Sequence, residues 1–322
     1  LEIRHFRALE KLDWSPEGVC VLTGANGAGK TTTLDALRFL RALFVSGHEA
    51  AFDAVGSRAF RHRGTPQTEA VEFTVSIGDM RWQLRFPEAG VGMEHYAEHL
   101  RRESEEIIET KLHEPTLRLG AQELRVDNVR CGLKVLWDKE SPDWLPPLVS
   151  TLEGLRIHDT YNLKEHIKRV EVVNATDSVL HPSGKNLWSV LANWKGAPLR
   201  YQGRFEWVME RARRAFPGIL QTIEFDRGLP YLYPPGATEP SEGLLPDRAA
   251  DGLLTGLLHL TAIAGADDGA LVAFDEVENQ LHPHAIRSLI AAMREATDER
   301  GLTVVLTTHS PVVLNQFRDE PE

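Results

Sequence analysis

Residues Gly24-Ala25-Asn26-Gly27-Ala28-Gly29-Lys30-Thr31 spell glycine, four residues, then Gly-Lys-Thr. That pattern constrains the fold more than anything else in the chain. It works only where a buried strand feeds a tight loop and the loop feeds a helix. Both neighbours are present. Val19-Cys20-Val21-Leu22 is a short apolar run of the kind a buried parallel strand gives, and Leu34, Leu37, Leu40 and Phe44 recur at near-helical spacing. Glycines let the backbone curl until successive N–H groups point at one anion, and the helix N-terminus adds partial positive charge. Gly24 to Thr31, with Thr32 behind them, are therefore candidate phosphate contacts. Lys30 is placed to bridge the β- and γ-phosphates of ATP, and the Thr31 hydroxyl to complete a Mg²⁺ shell.

A chain of 322 residues with 42% hydrophobic content has material for one large domain or two ordinary ones. It opens without Met on the strand-like Leu1-Glu2-Ile3 and stops soon after a core-like strand, so trimming at both ends is expected. Its two cysteines, Cys20 and Cys131, make no disulfide framework, which fits a reducing cytoplasm. No basic-then-apolar leader opens the sequence, and the longest apolar run, Leu253 to Ala266, is too short and interrupted to span a bilayer. The expectation is a soluble cytoplasmic protein with no membrane partner. Net charge is −11, with −11 in residues 217–322 alone and +4 in residues 151–216. Bulk acidity disfavours sequence-independent DNA binding. The basic stretch, with Lys164, Lys168, Arg169, Arg204, Arg211, Arg213 and Arg214, keeps nucleic acid as a possible partner beside the plainer reading of a solvated surface.

Along the chain, Val71–Ile77 and Trp82–Phe86 alternate as half-buried antiparallel strands do. The charged stretch between His95 and His113 reads as a helix, while residues 115–150 give little signal. Helices are expected over Asn186–Trp194 and over Arg204–Phe216, the second stopped by Pro217-Gly218. Gly228 to Pro246, rich in proline and glycine, reads as a mobile loop.

The last third supplies a second set of chemical groups. Leu271-Val272-Ala273-Phe274 is an apolar strand ending in Asp275-Glu276. An acid at the carboxyl end of a buried strand suits Mg²⁺, and the next acid can orient and deprotonate a water. A helix through Ile286, Leu289, Ile290 and Met293 ends near Gly301, and Leu302–Leu306 forms a third strand finishing in Thr307-Thr308-His309-Ser310. A strand–helix–strand unit of this kind lays both strands in one parallel sheet. His309 should then emerge at the same carboxyl edge as Gly24 and Asp275, where α/β sheets bind ligands. A zinc site from His282, His284 and His309 lacks a further close ligand and is set aside.

Taken together, these residues resemble the ABC-type ATPases, and within them the RecF-like and OLD-like predicted ATPases. The resemblance covers nearly the whole chain. It includes Ile3-Arg4-His5-Phe6-Arg7, the run Gly184 to Leu191, Phe216-Pro217, and Asp275-Glu276-Val277-Glu278-Asn279-Gln280-Leu281-His282-Pro283. It implies an α/β P-loop fold of ABC-ATPase type, with a mostly parallel core sheet, an antiparallel β subdomain and a helical insertion. Residues 1–90 and 216–322 would be two lobes of one ATPase domain around a mainly helical 91–215. It further implies head-to-tail dimers holding two ATP molecules, each capped by a signature loop from the opposite subunit. Here that loop is Ala249-Ala250-Asp251-Gly252, so Asp251 and Gly252 join the candidate nucleotide contacts. Ala250 stands where the family usually has a serine whose hydroxyl meets the γ-phosphate. By the same resemblance Glu276 is the general base and His309 the γ-phosphate sensor, both catalytic. The family's glutamine loop has only Gln67 and Gln83 as candidates.

Asp251 lies 220 residues after Thr31, and the loop is not the Leu-Ser-Gly-Gly-Gln type of transporter subunits. Long heptad arms are absent from the intervening sequence. No acidic nuclease cluster follows His309, although such a domain could have been removed. What the resemblance implies is a Mg-dependent ATPase switch that works as a homodimer or higher oligomer beside a separate effector, a nuclease or toxin, in antiphage defence. The alternatives are a RecF-like DNA repair ATPase and a slow nucleotide-gated scaffold.

Overall fold

The computed structural model describes residues 1–56, 60–66, 68–87, 96–110, 116–119, 122–125, 129–168, 170 and 174–318. Two compact units emerge, Leu1–Pro16 with Gly24–Leu155, and Glu17–Thr23 with Arg156–Glu322. The chain starts in the first with β1 (Glu2–Phe6) and β2 (Leu9–Asp13), supplies β3 (Val19–Leu22) to the second, and returns through α1 (Lys30–Ser46) and α2 (His48–Val55). Then follow β4 (Val71–Ile77), β5 (Met80–Phe86), β6 (Ala97–Arg102), β7 (Glu105–Thr110), β8 (Thr116–Leu119), β9 (Gln122–Arg125), α3 (Gly132–Glu140) and α4 (Pro146–Gly154).

The first unit is an eight-stranded antiparallel sheet in the order β2-β1-β4-β5-β6-β7-β8-β9. Its strands follow the period of two: Met80, Trp82, Leu84 and Phe86 are buried, while Arg81 and Arg85 face water. The buried face packs an aromatic cluster. Phe39 from α1 stacks on Phe73 from β4 at 5.1 Å, and Phe6, Phe52, Phe60 and Phe86 surround them. Such ring pairs add about 0.5–1.5 kcal/mol each beyond simple area burial.

The stretch between His95 and His113 is corrected from helix to strand: Ala97–Arg102 and Glu105–Thr110 form the hairpin β6–β7, turning at Glu103 with φ 53°. His95 and residues 111–113 lie outside the described residues. The physical reason is Glu98. It occupies an inward position between Tyr96 and Leu100, so the alternation is real but one of its buried members is an acid. Trp82 Nε1 donates to Glu98 Oε1 at 2.8 Å and Tyr96 Oη to Oε2 at 3.0 Å. Backbone N–H groups of Gly132 and Leu133, at the start of α3, donate at 2.6 and 2.8 Å. A carboxylate set at a helix N-terminus is favourable, and here it also pins α3 to the sheet.

The second unit adds β10 (Arg156–His158), α5 (Leu187–Gly196), α6 (Arg204–Ala215), β11 (Thr222–Asp226), β12 (Leu229–Tyr233), α7 (Asp251–Gly265), β13 (Leu271–Phe274), α8 (Pro283–Arg300), β14 (Thr303–Thr307) and α9 (Pro311–Leu314). Its core is a four-stranded, all-parallel sheet ordered β10-β13-β14-β3. Val272, Ala273 and Phe274 on β13, and Val304, Val305 and Leu306 on β14, are buried, as continuous apolar strands must be when helices cover a parallel sheet. The helices α5–α8 join the same hydrophobic core, with Trp194, Val208, Leu257 and Met293 among its members.

Gly228 to Pro246 is also corrected. Its first part is strand β12, paired antiparallel with β11. Arg227 and Gly228 turn the corner with φ 51° and 83°, the two positive values that a tight hairpin turn needs. Pro230 is tolerated because each strand of a two-stranded ribbon is an edge. Short helical turns at Pro240–Glu242 and Pro246–Arg248 complete the segment. The expected third apolar strand runs one residue later than its sequence suggests, ending on Thr307. Among the described residues, no helix is long and apolar enough to cross a membrane.

Candidate functional site

The chain leaves β3 at Leu22, which is paired with Thr307, and enters the loop two residues later. In the first unit, Gly24, Gly27 and Gly29 take φ of 147°, 81° and 99°, a left-handed path that other residues enter only at a cost. Gly29 is further constrained, because a Cβ there would come within 2.6 Å of Leu9 Cδ2. The loop residues Gly24 to Ala28 are exposed. Helix α1 begins at Lys30, has no side-chain cap and carries no acid in its first turn. Lys30 Nζ curls back onto the carbonyls of Gly24 at 2.8 Å and Ala25 at 3.2 Å. An uncapped helix start, a central ammonium and a curled backbone without carboxylates together fit an anionic polyphosphate. Thr31 and Thr32 follow in the first turn and line a cleft with Gly27, Arg7, His62 and Arg63. Those last two residues carried no recognisable signal in the sequence, because they come from the segment after α2 and meet the loop only in the fold.

In the second unit, the carboxyl ends of β10, β13, β14 and β3 share one edge, with His158 opposite Phe274, Phe274 opposite Leu306 and Thr307 opposite Leu22. Asp275 and Glu276 follow β13 directly, and His309 follows β14. Asp275 is half-buried, whereas Glu276 and His309 are exposed. Backbone bonds fix the turn: Asp275 N donates to His158 O at 3.0 Å and Val277 N to Thr307 O at 3.3 Å. His309 N donates to Glu278 Oε1 at 2.9 Å, so the turn after β13 grips the strand end that carries His309. The Thr307 hydroxyl donates to Asp275 Oδ1 and accepts from Glu276 N at 2.8 Å. Thr307 belongs to no motif in the sequence, and its one signal is a hydroxyl that closes the aliphatic run Val304-Val305-Leu306.

A small cleft joins Asp275 and Glu276 with Tyr161 and His259. Burial, helped by the neighbouring His158, pushes the His259 imidazole down to about 3. It is neutral near pH 7 and cannot offset the acid pair's charge. A cation therefore suits the pair. Among the described residues, no three His, Cys, Asp or Glu side chains converge on a metal position. Mg²⁺ takes one or two carboxylates and completes its shell with phosphate and water.

Asp251 and Gly252 open α7, with Ala250 as an N-cap that makes no side-chain hydrogen bond. A Cβ on Gly252 would sit 2.7 Å from Gln280 O, and Thr255 Oγ1 donates to Gln280 Oε1 at 3.2 Å. The start of α7 is thus packed against the turn that follows the acids. The Asp251 carboxylate is held by Lys168 at 2.7 Å. Of the glutamine-loop candidates, Gln83 lies mid-strand in β5 and Gln67 lies outside the described residues. Much of the basic stretch is internally engaged. Arg211 pairs with Glu295 at 2.7 Å, Arg213 donates to Gln221 O at 2.6 Å, and Arg214 pairs with Glu295 at 3.5 Å. Arg169 lies outside the described residues.

The family model described as "AAA domain, putative AbiEii toxin, Type IV TA system" matches residues 19–315. The chain is similar in fold to the crystal structure of an SmcHead bound to the C-winged helix domain of ScpA. The TM-score is 0.52 at 11% identity, over 98% of this chain and 90% of that one. The SMC head domain from Thermotoga maritima matches at a TM-score of 0.44 and 13% identity, over 98% and 89%. An Smc head domain with an extended coiled coil, bound to the C-terminal domain of ScpA derived from Pyrococcus furiosus, matches at 0.44 and 13%, over 98% and 90%. The likeness in fold rests on the first of these. No curated protein matches the chain.

Proposed function

The chain belongs to this AAA-domain family and has an ABC-like P-loop fold, and from that premise we propose that it is a Mg-dependent ATPase switch. Two observations, one in each unit, support the reading: an exposed glycine loop around Lys30 in the first, and in the second an acid pair and a histidine that follow strand ends of a parallel sheet. Gly24 to Gly29 and Thr32 present the loop to the phosphates, and Lys30 exchanges its two carbonyl partners for phosphate oxygens. Thr31 and Asp275 would hold Mg²⁺, which would neutralise phosphate charge. Glu276, exposed at the strand end, accepts a proton from the attacking water. His309, on the adjacent strand end, senses the γ-phosphate.

Two protomers close head to tail, each offering Asp251 and Gly252 at the start of α7 to the nucleotide of the other. Ala250 lacks the hydroxyl expected there, which removes about 1.5–3 kcal/mol per site from closure. The working cycle then needs a partner, a separate effector protein in the cytoplasm. The family's description as a putative toxin of a toxin–antitoxin system supports action together with a second protein, and antiphage defence is the role we favour. Internal pairing of Arg211 and Arg214 with Glu295 leaves less support for a RecF-like role on DNA.

Light scattering tests the closure. Glu276→Gln with ATP and Mg²⁺ should shift toward dimer, and adding Ala250→Ser should strengthen that shift at least tenfold in dimer affinity, as one charge-assisted bond per site implies. A mass that ignores nucleotide in both variants contradicts the shared-site switch.

A further inference from the structure

Resting on the ATPase reading above, we propose that Thr307 is a positioning residue for the acid pair. Its single hydroxyl sets the Asp275 carboxylate for the metal and Glu276 for the water. Thr307 is 1% exposed and ends β14, one strand over from β13. A hydroxyl has one proton to give and lone pairs to receive. Here the proton goes to Asp275 Oδ1, and a lone pair takes the Glu276 N–H at 2.8 Å. One atom therefore fixes both the rotamer of the first acid and the backbone of the second.

The second half of that task is demanding. Glu276 has φ 50°, in the left-handed region that a β-branched or ordinary side chain enters only when its surroundings hold it there. The hold consists of the Thr307 hydroxyl on Glu276 N, the Thr307 carbonyl on Val277 N at 3.3 Å and the Glu278 carboxylate on His309 N at 2.9 Å. Without the hydroxyl, the turn keeps its backbone anchor at Val277 but loses the bonds to Asp275 Oδ1 and from Glu276 N. A purely structural role would be served by any residue of the same shape. Valine has that shape, and the neighbours Val304, Val305 and Leu306 show that the strand itself is apolar.

Groups that orient metal-ligating side chains through hydrogen bonds typically change metal affinity or activity about 10–100-fold when removed. The experiment compares wild type, Thr307→Val and Thr307→Ser as full-length chains. Calorimetry gives ATP affinity without and with Mg²⁺, and steady-state turnover gives the Mg²⁺ concentration for half-maximal rate. The expected result is that Thr307→Val binds ATP normally without Mg²⁺ and loses the Mg²⁺-dependent gain in affinity. It should also need at least about tenfold more Mg²⁺ and turn over at least about tenfold slower. Thr307→Ser, which keeps the hydroxyl, should restore both. If wild type binds and hydrolyses ATP while Thr307→Val shows the same Mg²⁺ dependence, the proposal falls and the ATPase reading stands. A wild type that binds no ATP overturns the ATPase reading and this proposal with it. Should the valine chain fail to fold, Thr307→Ser decides: a wild-type Mg²⁺ dependence supports the hydroxyl's role, and a tenfold loss overturns it.

Discussion

In the first unit Glu98 is wholly buried, and its two oxygens receive four hydrogen bonds from Trp82, Tyr96, Gly132 and Leu133. In the second unit His259 is almost as deeply buried, 4% exposed, and its Nδ1 has no hydrogen-bond partner. Its ring rests against Phe274 at 4.7 Å and Tyr161 at 5.7 Å. Both groups shift toward their neutral forms. Burial pushes the Glu98 carboxyl up despite the four donors that pull it back, and burial pushes His259 down with His158 assisting. The comparison separates two uses of an ionisable side chain in a core. Glu98 is a connector, joining Trp82 on β5 and Tyr96 just before β6 to the start of α3. His259 is a filler beside the acid pair, where a neutral ring keeps the charge of Asp275 and Glu276 available to a cation.

The largest effect should come from breaking the connector. Glu98→Ala strands an indole N–H and two backbone N–H groups in the interior, each unsatisfied donor costing about 1–3 kcal/mol, and leaves the Tyr96 hydroxyl to His48 Nε2 at 3.3 Å. Local stability across β5, β6 and α3 should fall by at least about 3 kcal/mol, read by hydrogen-exchange mass spectrometry. Protection in α7 and α8 of the second unit should change far less. Equal loss in both units would mean that Glu98 is not a local connector.

A smaller effect should sharpen the contrast through pH. His259 has a depressed value in the fold, so the unfolded chain binds its proton first as pH falls below about 6.5. Between there and about 3 the second unit should lose up to about 1.4 kcal/mol per pH unit from this group. Glu98 works with the opposite sign. Its raised value means the folded chain keeps a proton the unfolded chain has lost, so its contribution weakens as pH rises through the raised value. Exchange protection of α7 against pH, in wild type and His259→Leu, checks this. The substitution should flatten the acid limb, and an unchanged slope would place the acid sensitivity elsewhere.

The same contrast explains what could be read in advance. The loop from Gly24 to Thr31, the strand before it and the helix after it were legible because glycine spacing and apolar periodicity are local signals. So were β13, α8 and β14, whose runs of buried aliphatic residues alternate with a helical stripe. The hairpin β6–β7 was hidden because Glu98 occupies an inward position, and the partners that make it acceptable come from β5 and α3. The hairpin β11–β12 was hidden by Pro230 and by an Arg-Gly turn that lacks the usual asparagine or aspartate. At the candidate site, the acids and His309 announced themselves by position. Thr307, Gln280 and His259 acquire meaning only from hydrogen bonds or packing between segments remote in sequence.

The most direct test of the central claim is ATP binding and Mg-dependent turnover measured side by side in wild type, Lys30→Ala and Glu276→Gln. The account predicts that wild type binds and hydrolyses ATP. Lys30→Ala should lose binding, because phosphate charge is left uncompensated in the loop. Glu276→Gln should bind as wild type does and turn over roughly 100- to 10,000-fold slower, the usual worth of a general base. A Glu276→Gln chain that hydrolyses ATP as fast as wild type would contradict the account.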